Sequence, residues 1–250
     1  MPLKRVALLL VVALSAPSAL AEELIVSAAA SLTRAFSEIG KNYEQAHPGT
    51  KIIFNFAASG ALLAQIAQGA PVDVFASADQ ETMDKAQAQK LIVPETRVDF
   101  AKNSLVLVVP ASSGLTLGSL PDLTKPNIKR IAIGNPDTVP NGRYAGEALQ
   151  AAGLWETLTP KFIYTNDVRQ SLSYVERGEV EAGFVFATDA EIEKDSVKVV
   201  LEVDTSIPIV YPMAVVAGSQ HASLAKAFSA YVTSPPGMAV MKRYGFASPE

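Results

Sequence analysis

The 250-residue chain contains no cysteine. That excludes disulfides, thiol nucleophiles, thiolate metal sites and iron–sulfur clusters. Histidine is nearly as scarce. His47 and His221 are the only two, far apart and without ligand-spaced neighbours. They read as solvated surface imidazoles, so neither a His-based metal site nor a Ser-His-Asp triad is expected. There is no basic excess either: 21 Lys and Arg stand against 25 Asp and Glu, a formal charge of −4. Nucleic acid as a partner is disfavoured. An anion site here must work through local dipoles and hydrogen bonds, because no global positive field draws the ligand in. Phosphate-loop and dinucleotide fingerprints are missing; Gly134-Asn135-Pro136 is not a phosphate loop. Asp73, Asp79 and Asp189 are scattered and do not read as an acid–base pair; Asp73 and Asp79 read as residues that orient loops or cap helices. No cofactor and no enzymatic activity are expected.

Long hydrophobic runs are also lacking, apart from Ile207–Ala217 late in the chain and, near the N-terminus, Val6–Leu14. That run is too short for a bilayer, which needs about 20 apolar residues. It follows Lys4-Arg5 and precedes Ala19-Leu20-Ala21, the small-x-small pattern of a cleaved signal peptide. Residues 1–21 are therefore expected to be a leader cut before Glu22, and the mature protein to be exported, soluble and more acidic by two charges.

What is present is an alternation of strand and helix signals. Leu24–Val26, Lys51–Phe56, Val72–Ala76, Ser104–Val109, Arg130–Ile133, Lys161–Tyr164, Ala182–Phe186 and Val197–Val203 are strand-like. Between them Leu32, Phe36, Ile39 and Tyr43 fall at helical spacing. So do the stretches near Leu62–Ile66, Asp79–Lys90, Arg143–Ala152 and Val168–Arg177. Two helices close the chain, around Ser223–Val232 and Pro236–Tyr244. The pattern is α/β, with mostly parallel pairing expected. Strand–helix units fall into two groups, before and after about Lys102, and a return crossing near residue 212 would give two lobes: 22–102 plus 213–250, and 103–212.

Four predicted helix starts follow strand ends: Ser31, Ser59, Asn141-Gly142 and Asp167-Val168. Helix N-termini carry unsatisfied N–H groups and the positive end of the dipole, and strand C-terminal edges are where ligands sit in open α/β sheets. Each also has an ordinary reading. Ser31 and Ser59 could be plain N-caps. Asn141-Gly142 could be a turn after Pro140. Asp167 could cap its helix, with Gln170 completing a capping box. Taken singly, none of these signals distinguishes the two readings.

The same stretches resemble the periplasmic molybdate-binding proteins of bacterial ABC importers, over essentially the whole mature chain. The resemblance is carried by AAASL (Ala28–Leu32), GAPVDVFASAD (Gly69–Asp79), KNSLVLV (Lys102–Val108) and IGNPDTVPNGRYAGEAL (Ile133–Leu149), then by DVR (Asp167–Arg169), YPMAVV (Tyr211–Val216) and KRYGF (Lys242–Phe246). It implies a type II periplasmic binding protein, two α/β lobes of mixed sheets flanked by helices with the ligand in the cleft. The implied ligand is molybdate, with tungstate alongside, molybdenum being bound only as the oxyanion and not at a cation site. The implied donors are the hydroxyl and N–H of Ser31 and Ser59 from one lobe and the N–H of Asn141 and Val168 from the other. The implied partner is a membrane permease, and the implied state a monomer. One position departs from the family: where its members often carry a tyrosine, Gly183-Phe184-Val185-Phe186 ends in Phe186, which donates nothing. Tyr144, Arg143, Thr188, the Asn141 side chain or a water are the candidate replacements. Alternatives to molybdate capture are a sulfate or other oxyanion receptor on this fold, a secreted serine hydrolase using Ser31 or Ser59, and a purely structural exported domain.

Overall fold

A computed structural model describes residues 21–249; the expected leader lies outside them except for Ala21. Ten strands form two five-stranded sheets. The first sheet has the order β2-β1-β3-β10-β4, from β1 (Glu22–Ala29), β2 (Thr50–Ala57), β3 (Val74–Ala76), β4 (Val98–Asn103) and β10 (Ile209–Val215). The second has the order β7-β6-β8-β5-β9, from β5 (Leu105–Pro110), β6 (Ile131–Gly134), β7 (Phe162–Thr165), β8 (Ala182–Phe186) and β9 (Val197–Val203).

Each sheet has two parallel and two antiparallel ladders. The mostly parallel expectation therefore fails for half the pairings. The cause is the crossing: β10 enters the first sheet, and β5 the second, running opposite to the strands beside them. The chain passes between sheets at Asn103-Ser104 and again between Val203 and Ile209.

The helical spacing in α1 (Thr33–Ala46) buries Ala35, Phe36, Ile39 and Tyr43 on one face. Phe36 and Tyr43 meet Phe228 of α8 (Ala222–Thr233) edge-on, at centroid distances of 6.4 and 5.4 Å. Such buried aromatic pairs add roughly 0.5–1.5 kcal/mol beyond area burial. The remaining helices are α2 (Ser59–Ala67), α3 (Gln80–Ala88), α4 (Pro140–Ala151), α5 (Trp155–Leu158), α6 (Val168–Glu176), α7 (Ala187–Ile192) and α9 (Pro235–Arg243).

The histidine reading needs one correction. His47 is exposed and stacks on Tyr43, but His221 is half-buried with Nδ1 3.4 Å from the Asp73 carboxylate. Asp73 also accepts from the Ile25 N–H at 2.8 Å and the Ser219 hydroxyl at 2.6 Å, so it anchors that turn to β1.

Candidate functional site

Helices α2, α4 and α6, and the 3-10 turn Ala30–Leu32 that precedes α1, all begin at strand C-terminal ends. Their starts surround one small, tightly closed cavity of about 10 Å³. Ala29, Ala30, Ser31, Ala58, Ser59 and Ala78 line it from the first lobe; Val139, Pro140, Asn141, Val168 and Phe186 line it from the second. The structure thus brings all four sequence-selected residues together. Ser59 and Asn141 are fully buried and Ser31 and Val168 nearly so.

The small residues set how closely backbone can approach. A Cβ on Gly142 would lie 1.9 Å from the Gly134 carbonyl oxygen. Only glycine lets α4 start this near the end of β6, and that contact carries Asn141 to the cavity wall. Ser59 is the first residue of α2, Asn141 the second of α4 and Val168 the first of α6. At those positions the N–H has no acceptor within its own helix. The dipoles bring partial positive charge to the same point.

Neither serine is a plain N-cap. The N-cap of α2 is Ala58, and no side chain caps α2 or the Ala30–Leu32 turn. The Ser59 oxygen instead accepts the Ala78 N–H at 3.0 Å. The Ser31 oxygen lies 3.0 Å from the Tyr211 hydroxyl. A serine oxygen that already accepts keeps its proton for another partner. Asp167 does cap α6, its carboxylate accepting the Gln170 N–H at 2.9 Å. Gln170 reaches back one residue further than the capping box requires, its Oε1 accepting the Asn166 N–H at 2.7 Å.

Of the candidate replacements for a tyrosine at Phe186, Arg143 and the Asn141 side chain are engaged elsewhere, and neither Tyr144 nor Thr188 lines the cavity. Arg143 is ion-paired with Asp79 and, at 3.1 Å, with Glu81. Asn141 Nδ2 donates to the Phe184 carbonyl at 2.9 Å, and its Oδ1 has no partner but is only an acceptor. Thr188 Oγ1 accepts from Asn103 Nδ2 at 2.9 Å.

The two lobes touch around the cavity. The Gly60 N–H donates to the Thr138 carbonyl at 3.0 Å across the cleft. On one flank Arg143 of the second lobe holds Asp79 and Glu81 of the first. On the other Arg34 of the first pairs with Glu193 of the second, and Arg169 reaches both Glu193 and Asp189 at 3.4 Å. Burial pushes the Asp189 carboxyl up to about 7 against the lowering pull of Arg169. Asp79 also caps α3 by accepting from Thr82 N–H at 3.1 Å. Local sequence patterns did not single out Ala78, Asn103, Thr138 or Tyr211; each acts through a tertiary contact with a residue remote in sequence.

Two α/β lobes closed over a cavity lined by neutral donors define an extracytoplasmic solute receptor of the type II periplasmic binding class, a binding protein and not an enzyme. The chain belongs to the family of bacterial extracellular solute-binding proteins, whose model matches residues 24–247. It is 43% identical to the molybdate-binding protein ModA of Escherichia coli over 239 residues, 92% of each chain. It is 34% identical to the molybdate-binding protein ModA of Haemophilus influenzae over 244 residues, 96% of each. Among solved structures, the periplasmic molybdate-binding protein of Azotobacter vinelandii superposes with a TM-score of 0.78 at 24% identity, over 91% of this chain and all of that one, which shows the shared fold. No helix among the described residues is long and apolar enough to cross a membrane.

Proposed function

We propose that this protein captures molybdate, and tungstate equally, in the cleft between its lobes and presents it to the membrane permease of an ABC importer. The observation that carries the reading is the shell around the cavity: helix-start N–H groups from both lobes, plus two serine hydroxyls, that of Ser59 already accepting from the Ala78 N–H. A fully deprotonated tetrahedral dianion only accepts hydrogen bonds, so a donor-only shell suits it and disfavours protonated anions. Ser31 and Ser59 supply hydroxyl and N–H, and Asn141 and Val168 supply N–H. Donors from two lobes satisfy every ligand oxygen only in the closed state, which couples binding to closure. The relatives named molybdate-binding proteins support the choice of anion.

In this reading the two lobes, expected as 22–102 with 213–250 and as 103–212, move against each other. The return boundary shifts to the start of β10 at Ile209, since that whole strand belongs to the first sheet. The leader is cleaved, and the mature protein works as a periplasmic monomer without a cofactor. Calorimetric titration with molybdate, tungstate, sulfate and phosphate tests it. Near-equal tight binding of the first two, with sulfate and phosphate far weaker, is expected. Tight sulfate binding with no molybdate heat would reassign the protein to sulfate.

A further inference from the structure

Ser31 does not stand alone. Its oxygen meets the hydroxyl of Tyr211, on the strand that returns the chain to the first sheet. Asn103, the last residue of β4, donates through Nδ2 to that same hydroxyl at 3.2 Å and to Thr188 Oγ1 at 2.9 Å. The amide cannot be turned over without loss, because its Oδ1 accepts the Ser104 N–H at 3.0 Å. These bonds fix a direction. The amide supplies a proton to the Tyr211 oxygen, and a phenol has one proton of its own. That proton therefore goes to Ser31 Oγ, whose lone pair it occupies, and the serine proton is left facing the cavity.

We infer that Asn103 and Tyr211 are positioning residues that lock the Ser31 hydroxyl as a donor to the bound anion. Burial holds the Tyr211 phenol well above its usual range, so the donor is present at any physiological pH. The Tyr211 ring also packs edge-on against Phe186 at 5.8 Å. The phenol of this chain thus acts one bond behind the anion. The series runs from Thr188 of the second lobe through both strands at the crossing to a first-lobe donor. In a structure without it, Ser31 would be free to present a lone pair to an anion, which is repulsive, and binding would have to work against that freedom.

The inference rests on the anion-binding reading above, and its test has one arm that needs no ligand. Molybdate affinity is measured by calorimetry on the full chain for wild type, Ser31→Ala, Tyr211→Phe and the double variant. Tyr211→Phe is expected to weaken wild-type binding roughly tenfold, the scale of one hydrogen bond to a charged group, and to change the Ser31→Ala protein less than about twofold, because its target is gone. Equal losses in both backgrounds would mean that Tyr211 merely supports the fold, and would overturn the inference. Should Tyr211→Phe fail to fold, Asn103→Leu is put through the same cycle with the same expectation. In the ligand-free arm, proton NMR should show a slowly exchanging Tyr211 hydroxyl signal with a cross-peak to the Ser31 β-protons. A missing cross-peak would refute the relay itself, whereas a present cross-peak with no molybdate heat in wild type would refute only the choice of anion.

Discussion

Gly60 offers the sharpest separation of binding from folding. It is the second residue of α2, and its N–H crosses the cleft to the Thr138 carbonyl. A Cβ there would sit 2.6 Å from the Thr138 oxygen and 2.8 Å from its Cα. Both are backbone atoms, so no rotamer change relieves the overlap. Gly60→Ala should therefore leave the first lobe intact, and even favour it slightly, since alanine is up to about 1 kcal/mol better than glycine in a helix. Closure is what suffers. Losing the hydrogen bond costs about 1 kcal/mol, and overlap with rigid neighbours about 1–3 kcal/mol. A total of about 2–4 kcal/mol, at 1.4 kcal/mol per decade, is at least roughly a thirtyfold loss of anion affinity. Calorimetry measures the affinity, and the contraction seen by small-angle scattering on adding molybdate measures closure. Thermal unfolding of the unliganded variant should be unchanged or higher. If the variant binds within threefold of wild type, the Gly60–Thr138 contact does not belong to the ligand-bound state, and the reasoning fails.

The other expectations are simpler. Ser31→Ala and Ser59→Ala should each weaken molybdate binding several-fold or more, a hydrogen bond to a charged group being worth about 1.5–3 kcal/mol; unchanged affinity in both, by the same titration, would remove the site assignment. Phe186→Tyr places a hydroxyl on a cavity-lining ring and should raise affinity roughly tenfold by adding a charge-assisted bond; no rise would mean that another donor already fills the place. Asp189 is held up near 7 in the folded chain, so the folded state binds the extra proton and Asp189 lowers stability as pH rises from about 4, the unfolded value, to about 7. Urea unfolding of wild type and Asp189→Asn at pH 5 and 8 should show the wild type losing stability relative to the variant at pH 8, while parallel pH profiles would count against a raised carboxyl.

Much of the frame was legible because it depends on local pattern. The spacing of Phe36, Ile39 and Tyr43 fixed a helix and its buried face, and β8 and β9 have the bounds their apolar runs suggested. Strand β4 was not seen. Val98–Asn103 mixes Asp99 and Lys102 with apolar residues, and its one sheet partner, β10, lies more than a hundred residues away. At the site, the helix starts could be read but the duties of their side chains could not. Ser31 and Ser59 suit an N-cap locally, yet tertiary contacts with Tyr211 and Ala78 claim both oxygens. No spacing rule connects residues 31, 103 and 211, although Asn103 and Tyr211 both sit in stretches that carried the family resemblance.

The strand order has a consequence for how the molecule comes into being. Every strand of the second sheet lies between Leu105 and Val203, so that sheet is complete once that stretch has been made. The first sheet is not. Until residues 209–215 arrive, β3 is an open edge and β4 has no sheet partner at all. An N-terminal half waiting in that condition exposes unpaired strand to any neighbour. The late strand β10 therefore seals the first lobe as well as joining it to the second. A chain truncated before Ile209 should behave as one folded lobe trailing a sticky, unfinished one.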